Sequence, residues 1–517
     1  MPVLEAIAGA TTTATTGEAR VGGMDRRQFL TATLGAAALP GVVGGVPASQ
    51  SSYGPLGQVA LDGVKEAVLD DSGTVAFCAV GDGFAAVDVT DPANPTVVAE
   101  RRGLLADRPN GPMSGIYDVK YDAGTLLVVG PANSGNPKAA LFYDVSDPAS
   151  PEQLGVYDTG YPIHNSDFVD GVAYLTANTS NSNGLVLVDP NDGDPESVGS
   201  WSITTAESGW NRVNTAVWSL HDVYVQDDVA YIAHWDAGTW MVDVSDPTAP
   251  ELVTKVRGRP PSQFADMGFQ QIAFEQLQPP GNDHYVAVNE DASLLGVGME
   301  SWDARQDDDR GGPSGIDLYD ISTPTDPQAL ATIEPPESSN ATYSGIWTTS
   351  HNFEFHEDRL YTAWYQGGVR VFDVSDPADP VELAAWRDTD ATSFWTARYA
   401  TDGVFVASSG EHPSRDIPYR LYTFPDPDGD GTTGPVQPPG PPETPTTSTP
   451  TPTETTTTTA ETGTETTTGT PLPNEASPTA DGAETSAGAG PGFGVLGTLA
   501  GLGLGAWRLQ KRRRDGD

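Results

Sequence analysis

Three histidines in the middle of the chain recur at one spacing. Each lies ten residues before a tyrosine in an apolar run: the pairs are His164 and Tyr174, His221 and Tyr231, and His351 and Tyr361. Imidazole nitrogens bind zinc and iron, and three of them with a carboxylate make a recognised ligand set. Because Zn–N bonds are about 2 Å long, rings that share one ion must lie within about 7 Å of each other. The spacing therefore indicates a zinc- or iron-type site if the fold brings the three rings together.

Two other interpretations fit the same histidines. A histidine at the same place in successive repeats can hydrogen bond to the backbone of its neighbour, and the Asn or Asp that follows it can cap a turn. Aromatic residues of the same repeats, Trp235, Trp364 and Trp395, can instead form a wall that binds a sugar or another amphipathic ligand without metal. The sequence alone leaves the three interpretations open.

The elements that would position these residues repeat along 52–425. An apolar strand that ends in Asp-Val-Ser-Asp-Pro, or in the variant with Thr, occurs at 88–92, 144–148, 243–247 and 373–377. Proline ends each strand because it has no N–H for the sheet. Two short strands precede each copy and one follows it, so a repeat of roughly 40–60 residues carries four strands, which is typical of a propeller blade.

The repeats predict an all-β fold, a β-propeller of seven four-stranded blades. Six or eight blades are alternatives, because 256–330 carries long insertions. The strand near 57–61 is expected to complete the last blade and close the ring. The repeated phrase resembles the LVIVD repeat family of propellers over most of 60–425. That resemblance implies the fold, and the family has no general assigned reaction.

A propeller places the histidines and three equivalent positions at one mouth of its central channel. The ten-residue offset selects Tyr117, which Asp118 follows, in one blade, Trp395 in the last, and either Glu66 or Ala67 in the first. We therefore treat Glu66, Asp118 and Trp395 as further ligand or metal candidates. Glu290, Asp291 and Glu300 lie in an insertion that can hold a hard cation or be a solvated loop.

The charge balance restricts the environment and the partners. The chain has 71 acidic and 26 basic residues and a net charge of −45. Self-repulsion of this size is screened in concentrated salt, which favours a halophilic source over an ordinary acidic secreted protein. No basic face for phosphate contacts is visible, so nucleic acid is not expected as a partner. The single cysteine, Cys78, lies in an apolar run and is interpreted as a buried small residue.

The N-terminal region, 1–48, is interpreted as an export signal. Arg26 and Arg27 precede a short apolar stretch, which resembles a twin-arginine (Tat) signal and implies the Tat translocase as a partner. Met24 is the expected true start, because the upstream residues are rich in Thr, Ala and Gly.

The C-terminal region predicts a stalk and an anchor. Residues 426–490 are rich in Thr, Pro, Gly and Ser and predict a disordered stalk. Residues 491–514 begin with Pro491, Gly492 and Phe493, continue as an apolar run of about 15 residues, short for a span of roughly 20, and end in basic residues. This order resembles the PGF-CTERM signal, which implies processing by an archaeosortase-like enzyme and attachment to a membrane lipid. A plain single-pass anchor is the alternative, and both place the propeller outside the cell membrane.

Two further patterns carry predictions. Asp426, Asp428 and Asp430 open a calcium-type loop at 426–431, although Gln437 stands where an EF-hand needs its Glu. Asn178 and Asn340 begin glycosylation triplets. No Gly-x-Ser-x-Gly, His-Glu-x-x-His or phosphate-binding loop is present. The sequence therefore favours a surface-anchored module that binds an extracellular ligand. An extracellular metal-dependent hydrolase or lyase is the alternative, and a passive surface-layer component is a third reading.

Overall fold

Short strands dominate the described part of the chain. The computed structural model describes residues 53–179, 182–304, 310–401, 403–410, 412 and 414–427. Within these residues, seven four-stranded antiparallel sheets form the seven blades of a β-propeller, as predicted. The first strand, β1 (Gly57–Ala60), belongs to the last blade.

Blades 1 to 4 each consist of four consecutive strands. Blade 1 contains β2 (Ala67–Leu69), β3 (Val75–Ala79), β4 (Gly83–Asp88) and β5 (Thr96–Arg102). Blade 2 contains β6 (Asp118–Asp122), β7 (Thr125–Gly130), β8 (Ala139–Asp144) and β9 (Glu152–Asp158). Blade 3 contains β10 (Ser166–Val169), β11 (Val172–Asn178), β12 (Asn183–Asp189) and β13 (Glu196–Trp201). Blade 4 contains β14 (Asp222–Gln226), β15 (Val229–His234), β16 (Gly238–Asp243) and β17 (Glu251–Lys255).

Blades 5 and 6 repeat this order, and blade 7 combines the two ends of the domain. Blade 5 contains β18 (Asp283–Val288), β19 (Leu294–Met299), β20 (Ile316–Asp320) and β21 (Gln328–Ile333). Blade 6 contains β22 (Phe353–His356), β23 (Arg359–Ala363), β24 (Val369–Asp373) and β25 (Val381–Trp386). Blade 7 contains β26 (Phe394–Thr401), β27 (Val404–Ser409), β28 (Arg420–Pro425) and β1.

Strand β1 closes the ring. It pairs antiparallel with β28, with Gly57 opposite Thr423 and Ala60 opposite Arg420. The pairing joins the start and the end of the domain, and the expectation that the strand near 57–61 completes the last blade is confirmed. A propeller closed in this way leaves no open blade at the seam.

The middle strands of each blade are apolar because both of their faces meet other blades. Strand β7 has five of its six residues buried, whereas the outer strand β5 has one buried residue among seven. Burial on both faces explains the continuous apolar runs that mark the second and third strands in the sequence.

The Asp and the Ser two residues later in the repeated turn hydrogen bond to each other where the chain leaves the third strand. Asp144 Oδ1 accepts hydrogen bonds from the backbone N–H of Ser146 at 2.9 Å and from its hydroxyl at 2.7 Å. Asp373 and Ser375 repeat the pair at 2.9 and 2.6 Å. These bonds lower the pKa of Asp144 and Asp373 below the ordinary value, because they stabilise the ionised carboxylate.

Helices are short in the described residues. The α-helices are α1 (Ile203–Ala206) and α2 (Phe269–Glu275), and 3₁₀ turns occupy Asn191–Gly193, Ser208–Arg212, Thr215–Val217 and Pro261–Gln263. Neither α-helix has the length or the apolar character needed to cross a membrane. Helix α2 lies in the connection between blades 4 and 5, and its Ile272 belongs to the same buried hydrophobic cluster as Trp218 and Phe264.

The innermost strands surround the channel. These strands are β2, β6, β10, β14, β18, β22 and β26, and each contacts the next around the closed circle. All of them run in the same direction along the channel, so the residues at their beginnings meet at one mouth.

Candidate metal centre at the channel mouth

One side chain from each blade forms a ring at the start of the inner strands. We name this set the mouth ring, and in blade order it consists of Lys65, Tyr117, His164, His221, His284, His351 and Trp395. Three predicted histidines, the predicted Tyr117 and the predicted Trp395 belong to it. Lys65 and His284 do not follow from the ten-residue offset.

Consecutive members of the mouth ring touch all the way around the channel. The Lys65 ammonium group lies 4.9 Å from the ring centroid of Tyr117 and 4.7 Å from that of Trp395. The remaining neighbours have centroid distances of 6.0 Å for Tyr117 and His164, 4.4 Å for His164 and His221, 3.8 Å for His221 and His284, 4.9 Å for His284 and His351, and 4.2 Å for His351 and Trp395. The fold thus brings the predicted histidines into one continuous group.

Four of these rings, from four consecutive blades, form what we name the imidazole arc: His164, His221, His284 and His351. The sequence offset missed His284 because the hairpin of blade 5 is longer. In blade 4, Gln226 pairs with Val229 across a two-residue turn. In blade 5, the N–H of Asn289 donates to Leu294 O, which leaves four residues in the turn. The two extra residues place the histidine twelve positions, not ten, before the matching residue of the second strand. A search with an offset of twelve residues would have found His284.

Hydrogen bonds to the backbone fix the orientation of two rings in the arc. His221 Nδ1 lies 2.8 Å from His284 O, and His351 Nδ1 lies 2.6 Å from Trp395 O. A carbonyl oxygen only accepts, so Nδ1 carries the proton in both rings and Nε2 carries the lone pair. The same bonds connect blade 4 to blade 5 and blade 6 to blade 7, so the inter-blade interpretation also describes what these residues do.

The lone pairs of the arc are buried. Within the described ranges, the Nε2 atoms of His221, His284 and His351 have no hydrogen-bond partner. The three side chains are 4, 2 and 2 % exposed. Metal-binding histidines characteristically donate Nδ1–H to a carbonyl or carboxylate and present Nε2 to the ion. His221 and His351 match this arrangement, whereas both ring nitrogens of His284 are without a hydrogen-bond partner among the described residues.

Burial disfavours the charged form of three rings of the arc, those of His164, His221 and His351. It lowers the pKa of His164 to about 3, with the neighbouring His284 as the second cause. It also lowers the pKa of His221 and His351 well below the ordinary value, again with His284 as the next cause. Neutral imidazole is the form that binds a metal ion.

A carboxylate completes the donor set at one end of the arc. Suitable atoms of His284, Glu300 and His351 all lie within 4.8 Å of one another, and all three residues are buried. Glu300 Oε2 lies 3.2 Å from His284 Nδ1, without the angle of a hydrogen bond. Its other oxygen accepts the hydroxyl proton of Tyr365, which orients the carboxylate. Two imidazoles and one carboxylate are the ligand set of catalytic zinc sites and of non-haem iron(II) sites.

Ring spacing decides which imidazoles can share an ion. With Zn–N bonds near 2 Å and tetrahedral angles, two ligating rings have centroids roughly 5 Å apart. The His284–His351 pair, at 4.9 Å, fits this value. The His221–His284 pair stacks at 3.8 Å and is too close. The geometry therefore selects His284, His351 and Glu300, with His221 beside them.

Two bulky residues next to the arc have backbone conformations that are unusual for their type. Trp235 and Tyr365 follow the second strands of blades 4 and 6, with φ of +38° and +47°. Each pairs through its backbone with the inner strand of the next blade. Their rings lie beside the arc, with Trp235 at 6.2 Å from His221 and Tyr365 at 4.6 Å from His351. Strained backbone of this kind is concentrated at functional sites.

The residue after each ring member belongs to what we name the second layer: Glu66, Asp118, Asn165, Asp222, Tyr285, Asn352 and Thr396. Glu66 and Asp118, which we considered as metal candidates, lie here and are paired with protein groups. Arg398 Nη2 donates to Glu66 at 3.1 Å and to the Tyr285 hydroxyl at 2.8 Å. Asp118 pairs with Lys120 and accepts the Ser166 hydroxyl at 2.6 Å. Neither carboxylate is in the donor group around His284.

The acidic residues of blade 5 that the structure describes do not form one cluster. Glu290 and Asp291 lie in the hairpin turn at the far end of β18 and β19, whereas Glu300 directly follows β19 at the mouth. The hairpin therefore separates residues that the sequence analysis placed in one insertion. Asp303 lies close to the chain at Gly311, and 305–309 are outside the described residues.

Other predicted sites have different outcomes. The Asn178 amide is buried, donates to Leu220 O at 2.7 Å and accepts from Leu220 N at 3.0 Å. Its nitrogen is engaged within the folded chain, and its glycosylation stays a prediction. Asn340 is exposed and its glycosylation stays a prediction. Asp426 pairs with Arg359 and accepts the Tyr361 hydroxyl at 2.8 Å, so its carboxylate is already engaged.

Several predicted segments lie outside the described residues. They comprise Asp428 and Asp430 of the calcium-type loop, the stalk, the export signal with Arg26 and Arg27, and the sorting signal with Pro491, Gly492 and Phe493. The interpretations given to them stay predictions.

Comparison with known proteins identifies the repeats. Residues 72–100 and 219–257 match the LVIVD repeat family. No curated protein matches the chain. Similar solved structures include the β-propeller domain of Cps50 (Swd1) from Myceliophthora thermophila, with 7 % identity, 72 % of this chain and 99 % of that chain covered, and a TM-score of 0.49. A functionally unknown protein from Desulfotomaculum acetoxidans has 10 % identity, coverages of 62 and 84 %, and a TM-score of 0.41. The computationally designed Ika8 protein has 8 % identity, coverages of 71 and 100 %, and a TM-score of 0.42.

Proposed function

We propose that this protein is an exported, surface-anchored β-propeller that binds a divalent transition-metal ion, zinc or iron(II), at the mouth of its channel. The observation that carries the proposal is the buried donor group of His284, Glu300 and His351, whose ligand atoms lie within 4.8 Å of one another. A propeller with LVIVD repeats is an interaction module by its architecture, and the metal centre gives that module a defined binding chemistry.

Metal analysis of the purified full chain tests the proposal. We expect about one equivalent of metal per chain after reconstitution with zinc, and less than about a tenth of that in a His284→Ala/His351→Ala double variant. The matched control is His356→Ala, because His356 is at the opposite end of the inner strand that follows His351. Equal metal content in the double variant and the control would reject the site.

The ends of the propeller support an outward-facing mouth. In blade 7, Trp395 lies near Ser408, whereas Pro425 pairs with Val404 at the opposite end of the sheet. The Tyr53 hydroxyl donates to Pro425 O at 2.9 Å, so the chain enters and leaves on the face opposite the mouth ring. An anchor beyond residue 426 would therefore attach to the far face and leave the mouth accessible from outside.

Export and anchoring have their own test. We expect an Arg26→Lys/Arg27→Lys variant to remain inside the cell, and a Phe493→Ala variant to be exported with its C-terminal tail uncleaved. Cell fractionation and mass spectrometry of the C-terminal peptide measure both outcomes. Export of the double-lysine variant through the same route would contradict the assigned signal.

A second candidate function is an extracellular metal-dependent hydrolase or lyase. The three protein donors favour it, because catalytic zinc sites use three ligands and keep a position for water or substrate. Zinc-dependent cleavage of activated esters by the full chain, absent in the His284→Ala/His351→Ala variant, would support this candidate over binding alone.

A further inference from the structure

Glu300 lies just beyond the end of a strand. Strand β19 ends at Met299, and Glu300 is the next residue. From there to the start of β20 the chain is a connection outside the ladder of blade 5. The sheet alone therefore does not determine where the Glu300 carboxylate lies relative to His284 and His351, and hydrogen bonds from other segments have to hold it in place.

The hydroxyl of Thr349 binds the backbone on both sides of Glu300. Thr349 is buried and lies two residues before His351. Its Oγ1 donates to Met299 O at 3.0 Å and accepts the backbone N–H of Ser301 at 3.1 Å. The residues on either side of the carboxylate ligand are thereby bonded to the segment that carries one of the ligand histidines.

This hydroxyl has every hydrogen-bonding position in use. Thr349 Oγ1 also accepts the backbone N–H of Ser314 at 3.2 Å, so its proton and both of its lone pairs are engaged. A methyl group in its place would leave the N–H groups of Ser301 and Ser314 without this acceptor, which is costly in a buried place. The chain would then shift to satisfy them, and a shift at Ser301 moves its neighbour Glu300.

Asn282 makes the corresponding connection to the other histidine. It lies two residues before His284 and is buried. Its backbone carbonyl accepts the N–H of Glu300 at 3.1 Å, and its side-chain amide donates to Glu300 O. The backbone of the carboxylate ligand is thus bonded to the segment of His284, and its two neighbours in the chain are bonded to the segment of His351.

We infer that Thr349 is a positioning residue of the metal centre, which fixes the spacing between Glu300 and His351 through the backbone. This inference rests on the proposed function. A carboxylate that is already held by both neighbouring segments does not need to be ordered when the ion binds, so less of the binding free energy is lost. Metal affinity and coordination geometry therefore depend on a hydroxyl that does not itself bind the ion.

Cobalt(II) binding to the full chain tests the inference, because the visible absorption of bound cobalt reports its coordination geometry. Thr349→Val keeps the branched shape of the side chain and removes the hydroxyl. It should weaken cobalt binding by about tenfold or more, the usual effect of losing an outer hydrogen-bond partner, and it should alter the absorption bands. Thr349→Ser keeps the hydroxyl and should show the affinity and the spectrum of the unaltered chain.

The matched control is Thr423→Val. Thr423 is also buried, and its hydroxyl also donates to backbone carbonyl groups, those of Gly57 at 3.3 Å and of Pro92, but it lies on β28. Its replacement should lower the free energy of unfolding of the metal-free chain and leave the cobalt affinity and spectrum unchanged. Thr349→Ala serves as a second variant if Thr349→Val does not fold.

The outcomes separate the two proposals. Unchanged cobalt affinity and absorption in the variants that lack the Thr349 hydroxyl overturn this inference and leave the metal site intact. An equal change in Thr423→Val, or no recovery in Thr349→Ser, overturns it as well. If the unaltered chain binds no cobalt, the proposed function fails and this inference fails with it.

Discussion

The mouth ring and the second layer occupy consecutive positions on the same seven inner strands, but their polar groups have different surroundings. In the second layer, Glu66 is held by Arg398 and Asn352, and Asp118 by Lys120 and Ser166. In the mouth ring, the Nε2 atoms of His221, His284 and His351 are buried without a partner among the described residues. Paired carboxylates stabilise the closed ring, whereas unpaired lone pairs cost stability unless a ligand satisfies them. The contrast assigns structure to the carboxylates of the second layer and binding to the imidazoles of the mouth ring.

The largest expected effect is a loss of folding stability when a partner of the second layer is replaced. Replacing Arg398 by Met removes both guanidinium nitrogens that donate to Glu66, keeps only the neutral donor Asn352, and leaves a buried carboxylate without its counter-charge. The free energy of unfolding should fall by about 3–5 kcal/mol, the usual cost of breaking a buried pair. Denaturant titration followed by tryptophan fluorescence measures it. Arg420→Met, on β28 of the same blade, removes an exposed hydrogen bond to Gln58 and should cost less than about 0.5 kcal/mol. Equal effects would remove the distinction between the layers.

The second-largest expected effect is on zinc affinity, and it shows whether His284 contributes to metal binding or to stability. His284→Gln should weaken zinc binding more than about 100-fold, since loss of an outer partner alone costs roughly 10–100-fold. It should change the free energy of unfolding of the metal-free chain by less than the Arg398 substitution does. Competition with a zinc chelator and denaturant titration measure the two quantities. A large loss of stability with unchanged zinc affinity would show that His284 stabilises the fold and does not bind the metal.

The pH dependence of stability sharpens the comparison within the mouth ring. The pKa of His164 is about 3 in the folded chain, because of burial, and about 6.5 when unfolded. The unfolded chain therefore binds the proton first, so this contribution is complete above pH 6.5 and is lost as the pH falls toward 3. Between pH 6.5 and 5 the metal-free protein should lose about 2 kcal/mol through His164 alone.

A variant isolates that contribution. His164→Gln should lower the pH slope of the free energy of unfolding by about one proton equivalent over the same interval. Carboxylates at the surface change the slope of both proteins equally, so the difference between them reports on His164. Identical slopes would show that the ring of His164 titrates normally.

The smallest expected effect is on zinc affinity when Tyr365, which orients the metal-binding carboxylate of Glu300, is replaced. Tyr365→Phe removes the hydroxyl that donates to Glu300, and zinc binding should weaken by about tenfold. Tyr399→Phe is the control, because Tyr399 stacks on His356 far from the mouth. Chelator competition should give unchanged zinc affinity for the control, and a similar result for Tyr365→Phe would exclude an orienting role.

Particular residues show how far prediction from sequence reached. The three histidines, Tyr117 and Trp395 were found because hairpins of equal length keep the same offset in most blades. His284 was missed because its hairpin has two more residues, and Lys65 because the first blade shifts the count to Glu66. Glu300 could not be assigned to the site, because its distance from His284 depends on which end of a hairpin faces the mouth.

The sequence by itself determined the propeller, because the Asp-Val-Ser-Asp-Pro turns, the apolar middle strands and their regular recurrence depend on local chemistry. Only the tertiary structure decided which polar groups are paired and which are available. Ring closure brings the beginnings of seven distant strands to one mouth, and the carbonyl groups of neighbouring blades then determine which nitrogen of His221 and of His351 keeps its lone pair. These contacts join residues more than 40 positions apart, so no local pattern contains them.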